Sequence, residues 1–149
     1  MVKIIFILAI MLCFGCSNAA KNYLENGITY HKNRKYEGAF EQYNNAIKSD
    51  PQMAESYYWL GKLHKDWQNE QDSLEKAVEN YTQAIKLNEK YILAYNQRAL
   101  VYKTKNEADK ALNDYQKILS IDPNNARAHH SIGVIYKEQF SADNKNFDS

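Results

Sequence analysis

Thiols, imidazoles and carboxylates carry most protein chemistry, and in this 149-residue chain they do not converge. Both cysteines, Cys13 and Cys16, fall in the first sixteen residues, so nothing downstream can form an internal disulfide or a Cys-ligated metal site. The four histidines, His31, His64, His129 and His130, do not form a His-Glu-x-x-His motif, and a zinc site needs three or four ligands close together. Glu37 and Glu41 stand one helical turn apart, which is more simply a solvated face than a catalytic pair. There is no Gly-rich phosphate loop, calcium loop or nucleophile elbow. No catalytic residue, metal or cofactor is therefore expected. With 19 Lys plus Arg against 18 Asp plus Glu, the formal charge of +1 provides no global basic field for nucleic acid.

The elements that would position these groups begin with a segment set apart from the fold. Lys3 precedes an apolar run, Ile4 to Phe14, closed by Gly15 and Cys16. One charge followed by roughly a dozen apolar residues has the layout of a secretory signal over 1–15 and is too short for a spanning helix. An uncleaved signal anchor is the alternative. The Gly15-Cys16 pair resembles the lipobox of bacterial lipoproteins, although Cys13 occupies the place where that family usually has Leu, and Leu12 lies one residue earlier. The resemblance implies that Cys16 becomes an acylated N-terminus followed by a short linker over 16–19. Several acyl chains, at about 0.8 kcal/mol per buried methylene, would hold the protein to a bacterial cell membrane or outer membrane, facing the periplasm or the exterior.

Downstream, five Gly and two Pro disfavour structures built on frequent tight turns, while 12 Tyr call for a cause. The segment Tyr23-Leu24-Glu25-Asn26-Gly27-Ile28-Thr29-Tyr30 recurs as Tyr57-Tyr58-Trp59-Leu60-Gly61-Lys62-Leu63-His64, 34 residues on. The same frame returns at Tyr95 to Tyr102 and at His129 to Tyr136, again 34 apart, with a step of 38 between Gly61 and Ala99. A second motif appears as Ala39-Tyr43-Ala46, Ala77-Tyr81-Ala84 and Ala111-Tyr115-Ile118. Asp50-Pro51 and Asp122-Pro123 close the first and third units, where the second has Asn88-Glu89. Ten of the tyrosines occupy equivalent places in this unit and read as packing residues; Tyr58 and Tyr91 fall outside it.

This pattern resembles the tetratricopeptide repeat, TPR, over about residues 20–138. Asn26 and Arg98 replace its Leu, Ala99 a Gly, His64 a Tyr and Glu89 a Pro. The implied fold is all-α: a right-handed TPR superhelix, or α-solenoid, of three helix-turn-helix repeats plus a C-terminal capping helix. The repeats cover about 20–53, 54–91 and 92–125, with a partial fourth over 126–140 completing a TPR domain at 20–140, and a polar tail over 141–149. Helices are expected at about 20–33, 36–49, 54–68, 72–88, 92–105, 108–121 and 126–139. The small residue of each first helix, Gly or Ala, should face the Ala of the second so that the axes approach closely. The four residues added around Trp67 to Asp72 leave two readings, a protruding contact with an exposed Trp67 or a turn extension with Trp67 folded back.

In TPR arrays the second, fifth, ninth and twelfth positions of each first helix line a concave groove. That resemblance assigns Lys21, Leu24, Ile28 and His31; Glu55, Tyr58, Lys62 and Lys65; Leu93, Asn96, Leu100 and Lys103; and Arg127, His130, Val134 and Lys137 to partner binding. Six of the sixteen are Lys or Arg, whereas the second helices carry Glu37, Glu41, Glu75, Glu79, Glu107, Asp109 and Asp114. The expectation is a groove basic inside and acidic outside, suited to an extended or helical peptide with acidic and hydrophobic residues. Solubilising lysines on an exposed face are the other reading. The carboxylate clamp of TPR cochaperones is absent, because Leu24, Ile28 and Tyr58 stand where its polar residues would be. The implied function is a non-enzymatic scaffold or adaptor at the envelope that binds another protein or peptide and no nucleic acid. A self-associating structural protein, a homo-oligomer using 126–139, is the alternative.

Overall fold

The computed structural model describes residues 18–68 and 70–145, with side chains through Ser141. The expected signal over 1–15, the acylated Cys16 and the last four residues of the tail lie outside the described residues. Among the described residues there are seven helices and no strand: α1 (18–32), α2 (Tyr36–Ser49), α3 (Ala54–Trp67), α4 (Ser73–Leu87), α5 (Ile92–Thr104), α6 (Ala108–Ile121) and α7 (Ala126–Lys145). The expected bounds hold to within about two residues, with one exception at α7. Helix α1 begins at 18, inside the expected linker, and α7 continues to Lys145 through much of the segment expected to be an irregular tail. The chain divides between Asn88 and Glu89 into two compact units.

The second helices of the hairpins are amphipathic at the spacing their sequence gives. In α2 the buried residues are Ala39, Tyr43 and Ala46, and in α4 Ala77, Tyr81 and Ala84 fall at the same offsets. Side chains four and three residues apart share a face, so α2 and α4 each present one aromatic between two alanines, and α6 presents Tyr115 between Ala111 and Ile118. Tyr43, Tyr81 and Tyr115 are all fully buried. The glycines of the first helices make room for those rings: a Cβ on Gly27 would lie 2.6 Å from Tyr43 Cδ1, and one on Gly61 3.0 Å from Tyr81 Cδ1 and 3.1 Å from the Ala77 carbonyl. Gly133, expected to play the same part in α7, has nothing within 4 Å, because no second helix follows α7 among the described residues. The first unit's core joins Leu24, Leu60 and Leu63 to the α2 stripe. In the second unit Ala94, Tyr95, Ala99, Val101, Tyr115, Ile118, Ala128 and Ile135 are buried.

The turns recur as faithfully as the helices. Arg34 (φ 57°) and Asn106 (φ 59°) end α1 and α5 in the left-handed conformation. The next N–H groups reach back, Lys35 to the Tyr30 carbonyl and Glu107 to that of Tyr102, each at 2.9 Å. This reverses the chain within three residues and satisfies carbonyls that a helix end leaves open. At the other joints Asp50 Oδ1 accepts from the Gln52 N–H at 3.0 Å, and Asp122 Oδ1 from the Asn124 N–H at 3.3 Å. The intervening Pro51 and Pro123 cannot continue a helix, so each Asp-Pro pair is a stop with its own turn. In the longer second hairpin Ser73 Oγ donates to the Glu70 carbonyl at 2.8 Å, and Lys76 pairs with Glu70 and Asp72. Trp67 is folded back: its ring lies 6.0 Å from Tyr36 and 6.5 Å from Phe40.

Not every repeat aromatic is in the core. Tyr23 and Tyr30 on α1 and Tyr136 on α7 are exposed, contrary to the packing role expected of them. Neither α1 nor α7 has a further helix beyond it among the described residues, so the outward rings of both stay open. His129, which opens the fourth frame where the other frames have Tyr, is exposed too, with Nε2 2.9 Å from the Pro123 carbonyl. His64 does take the core place, buried edge-on to Phe40 at 6.0 Å.

Candidate peptide-binding surface

In the first unit the expected groove residues separate into two kinds. Lys21 and Glu55 are exposed and Ile28 half-buried, but Leu24 belongs to the core cluster and Tyr58 is buried against Trp59 and Tyr81. His31 is buried as well, with Nδ1 3.3 Å from Tyr43 Oη and Nε2 3.3 Å from Asp66. These three are therefore packing residues and not open lining: a helix face that meets a neighbouring helix buries its apolar members even where the family pattern turns it to a ligand. Lys62 and Lys65 reach the same carboxylate, at 2.5 and 3.7 Å. Burial alone would raise the Asp66 carboxyl, but the His31 and Lys62 hydrogen bonds and the charges of Lys62 and Lys65 outweigh it and hold Asp66 well below the usual range. The expected cationic stripe is thus partly neutralised from within.

Asp66 was not among the expected site residues. It sits one position after the register that the repeat assigns to a groove, and His31 stands 35 residues before it, so spacing along one helix could not pair them.

A second pair in the other unit was also missed. Asp114, expected on an acidic outer face, is 1% exposed and accepts from Arg98 Nε at 2.9 Å and Nη2 at 2.6 Å. Burial works against the Arg98 charge, but the two-point bond to Asp114 more than offsets it and raises the guanidinium further. Arg98 also lies 5.7 Å from the Tyr95 ring and 5.9 Å from that of Tyr102. The sequence did hold a signal, a double departure: Arg98 stands where the second repeat has Leu60, and Asp114 where the other repeats have Gln42 and Asn80. An acidic face on the second helices accordingly lacks Asp114.

The second unit presents the more open surface. Leu93 and Leu100 on α5 are 53% and 40% exposed, and Lys103 lies on the same helix face, 3.9 Å from Glu138 of α7. Arg127, His130 and Lys137 on α7 are exposed and Val134 half-buried. Ile92, Leu93, Asn96, Ile118, Asn125 and Arg127 line an open recess of about 230 Å³ between α5, α6 and the start of α7. The Asn125 side chain builds that start: its Oδ1 accepts from the Ala128 N–H at 3.1 Å and its Nδ2 donates to Asp122 Oδ2 at 3.0 Å. The arrangement offers apolar ridges, cationic edges and a recess. Among the described residues no group of three or more His, Cys, Asp or Glu is placed to hold a metal ion. Among the same residues no helix is long and apolar enough to cross a membrane.

Comparison with known proteins accords with this geometry. A sequence model of the TPR repeat matches residues 27–66, 69–106 and 102–139. DnaJ homolog subfamily C member 7 of Mus musculus is 32% identical over 101 residues, covering 66% of this chain and 20% of that protein. The chain spans about a fifth of the length of the curated relatives it matches. Among solved structures, the crystal structure of MamA is 33% identical with a TM-score of 0.73, over 85% of this chain and 71% of that one. The first TPR of Spaghetti (RPAP3), solved bound to the HSP90 peptide SRMEEVD, is 24% identical with a TM-score of 0.74, over 83% and 97%.

Proposed function

The chain belongs to the TPR repeat family, and from that premise we propose that it is a non-enzymatic interaction module whose first-helix faces hold a peptide segment of another protein. The observation that carries this reading is the α5 to α7 surface, where Leu93 and Leu100 are exposed, Leu93 lines a recess with Arg127, and Lys103 and Lys137 add positive charge. Apolar ridges edged by cations favour a segment that alternates hydrophobic and acidic residues. The peptide held by Spaghetti, SRMEEVD, has that character, although the likeness to that domain is one of fold. We place the module at a bacterial envelope, tethered through acylated Cys16, on the strength of the Gly15-Cys16 pair and the apolar run before it.

A photo-crosslinking amino acid placed in turn at Leu93 and Leu100, with exposed Glu41 and Lys117 on second helices as controls, tests the binding face in cells. One shared protein adduct from the first pair and none from the controls is expected; equal capture from both pairs, or no capture, rejects the face. Incorporation of a fatty-acid analogue that disappears in Cys16→Ser tests the tether, and an unlabelled wild type removes it.

The uncovered side of α7 supports a second reading. Tyr136 and Phe140 are 53% and 69% exposed, and Gly133 is open. Self-association through this helix would bury them, and sedimentation across micromolar concentrations distinguishes a monomer from a concentration-dependent oligomer.

A further inference from the structure

We propose that the exposed stripe of α1 lies flat against an anionic lipid surface, with the α1–α2 turn as its electrostatic contact, an inference that rests on the envelope tether proposed above. At about 100° per residue Asn22, Tyr23, Asn26, Thr29, Tyr30 and Asn33 share one side of α1 and its end, and all six are exposed. None of them is charged, although 25% of the chain is. The charged residues of α1, Lys21, Glu25 and Lys32, fall on the far side, about 160 to 200° from Tyr23. The places 34 residues on from the stripe are Ser56, Tyr57, Leu60, Leu63, His64 and Trp67. Of these, Ser56, Leu60, Leu63 and His64 are buried, and Leu60 and Leu63 share a core cluster with the α2 stripe. On α1, which no earlier helix covers among the described residues, the same register has exchanged the leucines for Asn26 and Thr29 but has gained no charge. A face turned to bulk water normally carries charge, whereas neutral amides, hydroxyls and phenol rings suit the headgroup layer of a bilayer.

Charge is concentrated instead where the stripe ends. Arg34 and Lys35 follow Asn33 directly, both are exposed, and neither forms an ion pair among the described residues. The other hairpin turns differ: Lys105 and Lys110 both pair with Glu107, and Lys76 pairs with Glu70 and Asp72. Two unpaired cations beside a neutral stripe select an anionic surface over a zwitterionic one, each worth about fivefold in affinity. The place of the stripe in the chain selects lipid over a soluble partner. Only Ser17 stands between Cys16 and Asn18, where α1 begins, so an acylated Cys16 or an uncleaved apolar run brings the start of this helix to the membrane. The helix is about 22 Å long at 1.5 Å per residue. Standing upright it would lift Arg34 and Lys35 more than two Debye lengths from the lipid, at roughly 8 Å each in physiological salt, whereas lying flat it keeps them in contact. The tether makes this docking intramolecular, so a weak contact suffices.

The test uses the full chain with a coumarin amino acid at Asn22, at Asn33 or, as a control, at exposed Glu79 of α4. Each is reconstituted in phosphatidylcholine vesicles containing phosphatidylglycerol and a lipid with a nitroxide on its headgroup, which quenches labels lying in the headgroup layer. Asn22 and Asn33 are about 16 Å apart along the helix, so only a flat α1 brings both to that layer. Quenching at the two should agree within about twofold and exceed that at Glu79 at least fivefold. Arg34→Asn with Lys35→Gln should cut Asn33 quenching at least fivefold while Asn22 keeps most of its own, and vesicles without phosphatidylglycerol should do the same. Asn tolerates the left-handed conformation of Arg34 (φ 57°), and circular dichroism reports that the helices survive. Asn33 quenching no greater than that at Glu79 means an upright helix and overturns the proposal, as does quenching unchanged by the double variant or by neutral vesicles. Absent quenching together with a concentration-dependent oligomer gives the face to a second copy and overturns it too. A chain that takes up no fatty-acid analogue yet is quenched at Asn33 leaves the docking face standing and removes the acyl tether, and an acylated chain unquenched at Asn33 does the opposite.

Discussion

Replacing the helix glycines by alanine sets two known effects against each other, and the structure decides which wins at each site. In an open helix interior Gly→Ala stabilises by about 1 kcal/mol, because alanine loses less backbone freedom. Gly133 meets that condition, with nothing within 4 Å of an added Cβ, so Gly133→Ala should stabilise the protein by about 1 kcal/mol. At Gly27 the new methyl would lie 2.6 Å from both Cδ1 and Cε1 of Tyr43, roughly 1 Å inside a comfortable carbon contact of about 3.5–4.0 Å. The ring has nowhere to go: Tyr43 is fully buried, its ring centroid lies 6.5 Å from that of Trp59 and its hydroxyl 3.3 Å from His31. Overpacking of this kind costs about 1–3 kcal/mol, so after the propensity gain Gly27→Ala should be destabilising by up to about 2 kcal/mol. Urea titration followed by circular dichroism, with equal slopes confirming comparable unfolding, measures both. If Gly27→Ala and Gly133→Ala shift the midpoint the same way, close packing of a ring on the first-helix glycine is not what holds the hairpin.

Three further outcomes follow from the buried polar groups. Arg98→Leu leaves the Asp114 carboxylate buried and unpaired and should cost about 3–5 kcal/mol, whereas Arg98→Leu with Asp114→Asn recreates the Leu60 and Asn80 pair of the second repeat and should recover most of it; no recovery in the double variant would show that the loss is not a stranded charge. Tyr81 Oη is buried without a hydrogen-bond partner, so Tyr81→Phe should leave stability unchanged or slightly raised, while Tyr43→Phe gives up the His31 contact and should lose about 1 kcal/mol in thermal or urea unfolding. Burial first, and then the Lys76 charge, lower the His64 pKa against the opposing pull of Glu70, Asp72 and Glu79. The unfolded imidazole, near 6.5, therefore takes up a proton before the folded one, and stability should fall as pH drops below about 6.5 toward the folded value. His64→Phe should flatten that decline below about pH 6.5, and an unaltered slope in urea midpoints would assign the decline to other groups.

How far the sequence reaches can be seen residue by residue. The offset of 34 between Gly27 and Gly61, the Ala-Tyr-Ala stripes and the Asp-Pro stops were enough to locate the helices, since each is a local signal: a face at helical spacing or a chain reversal. The same periodicity misplaced residues wherever the neighbour differs. Gly133 and Tyr136 occupy a packing register, yet are open because no partner helix follows α7 among the described residues. Leu24, His31 and Tyr58 occupy a groove register, yet are buried.

Fold class, hairpin boundaries and the burial of Tyr43, Tyr81 and Tyr115 were thus determined by sequence alone, because burying a periodic stripe needs only a complementary stripe one helix away. Which charges remain free was decided by tertiary structure. His31 meets Asp66 across 35 residues and Arg98 meets Asp114 across 16, distances along the chain that only helix packing closes. Charge counting treats every lysine and arginine alike, but a Coulomb interaction depends on the separation the fold imposes. By that measure Lys62, Lys65 and Arg98 are committed within the molecule, a commitment no count of charges reveals.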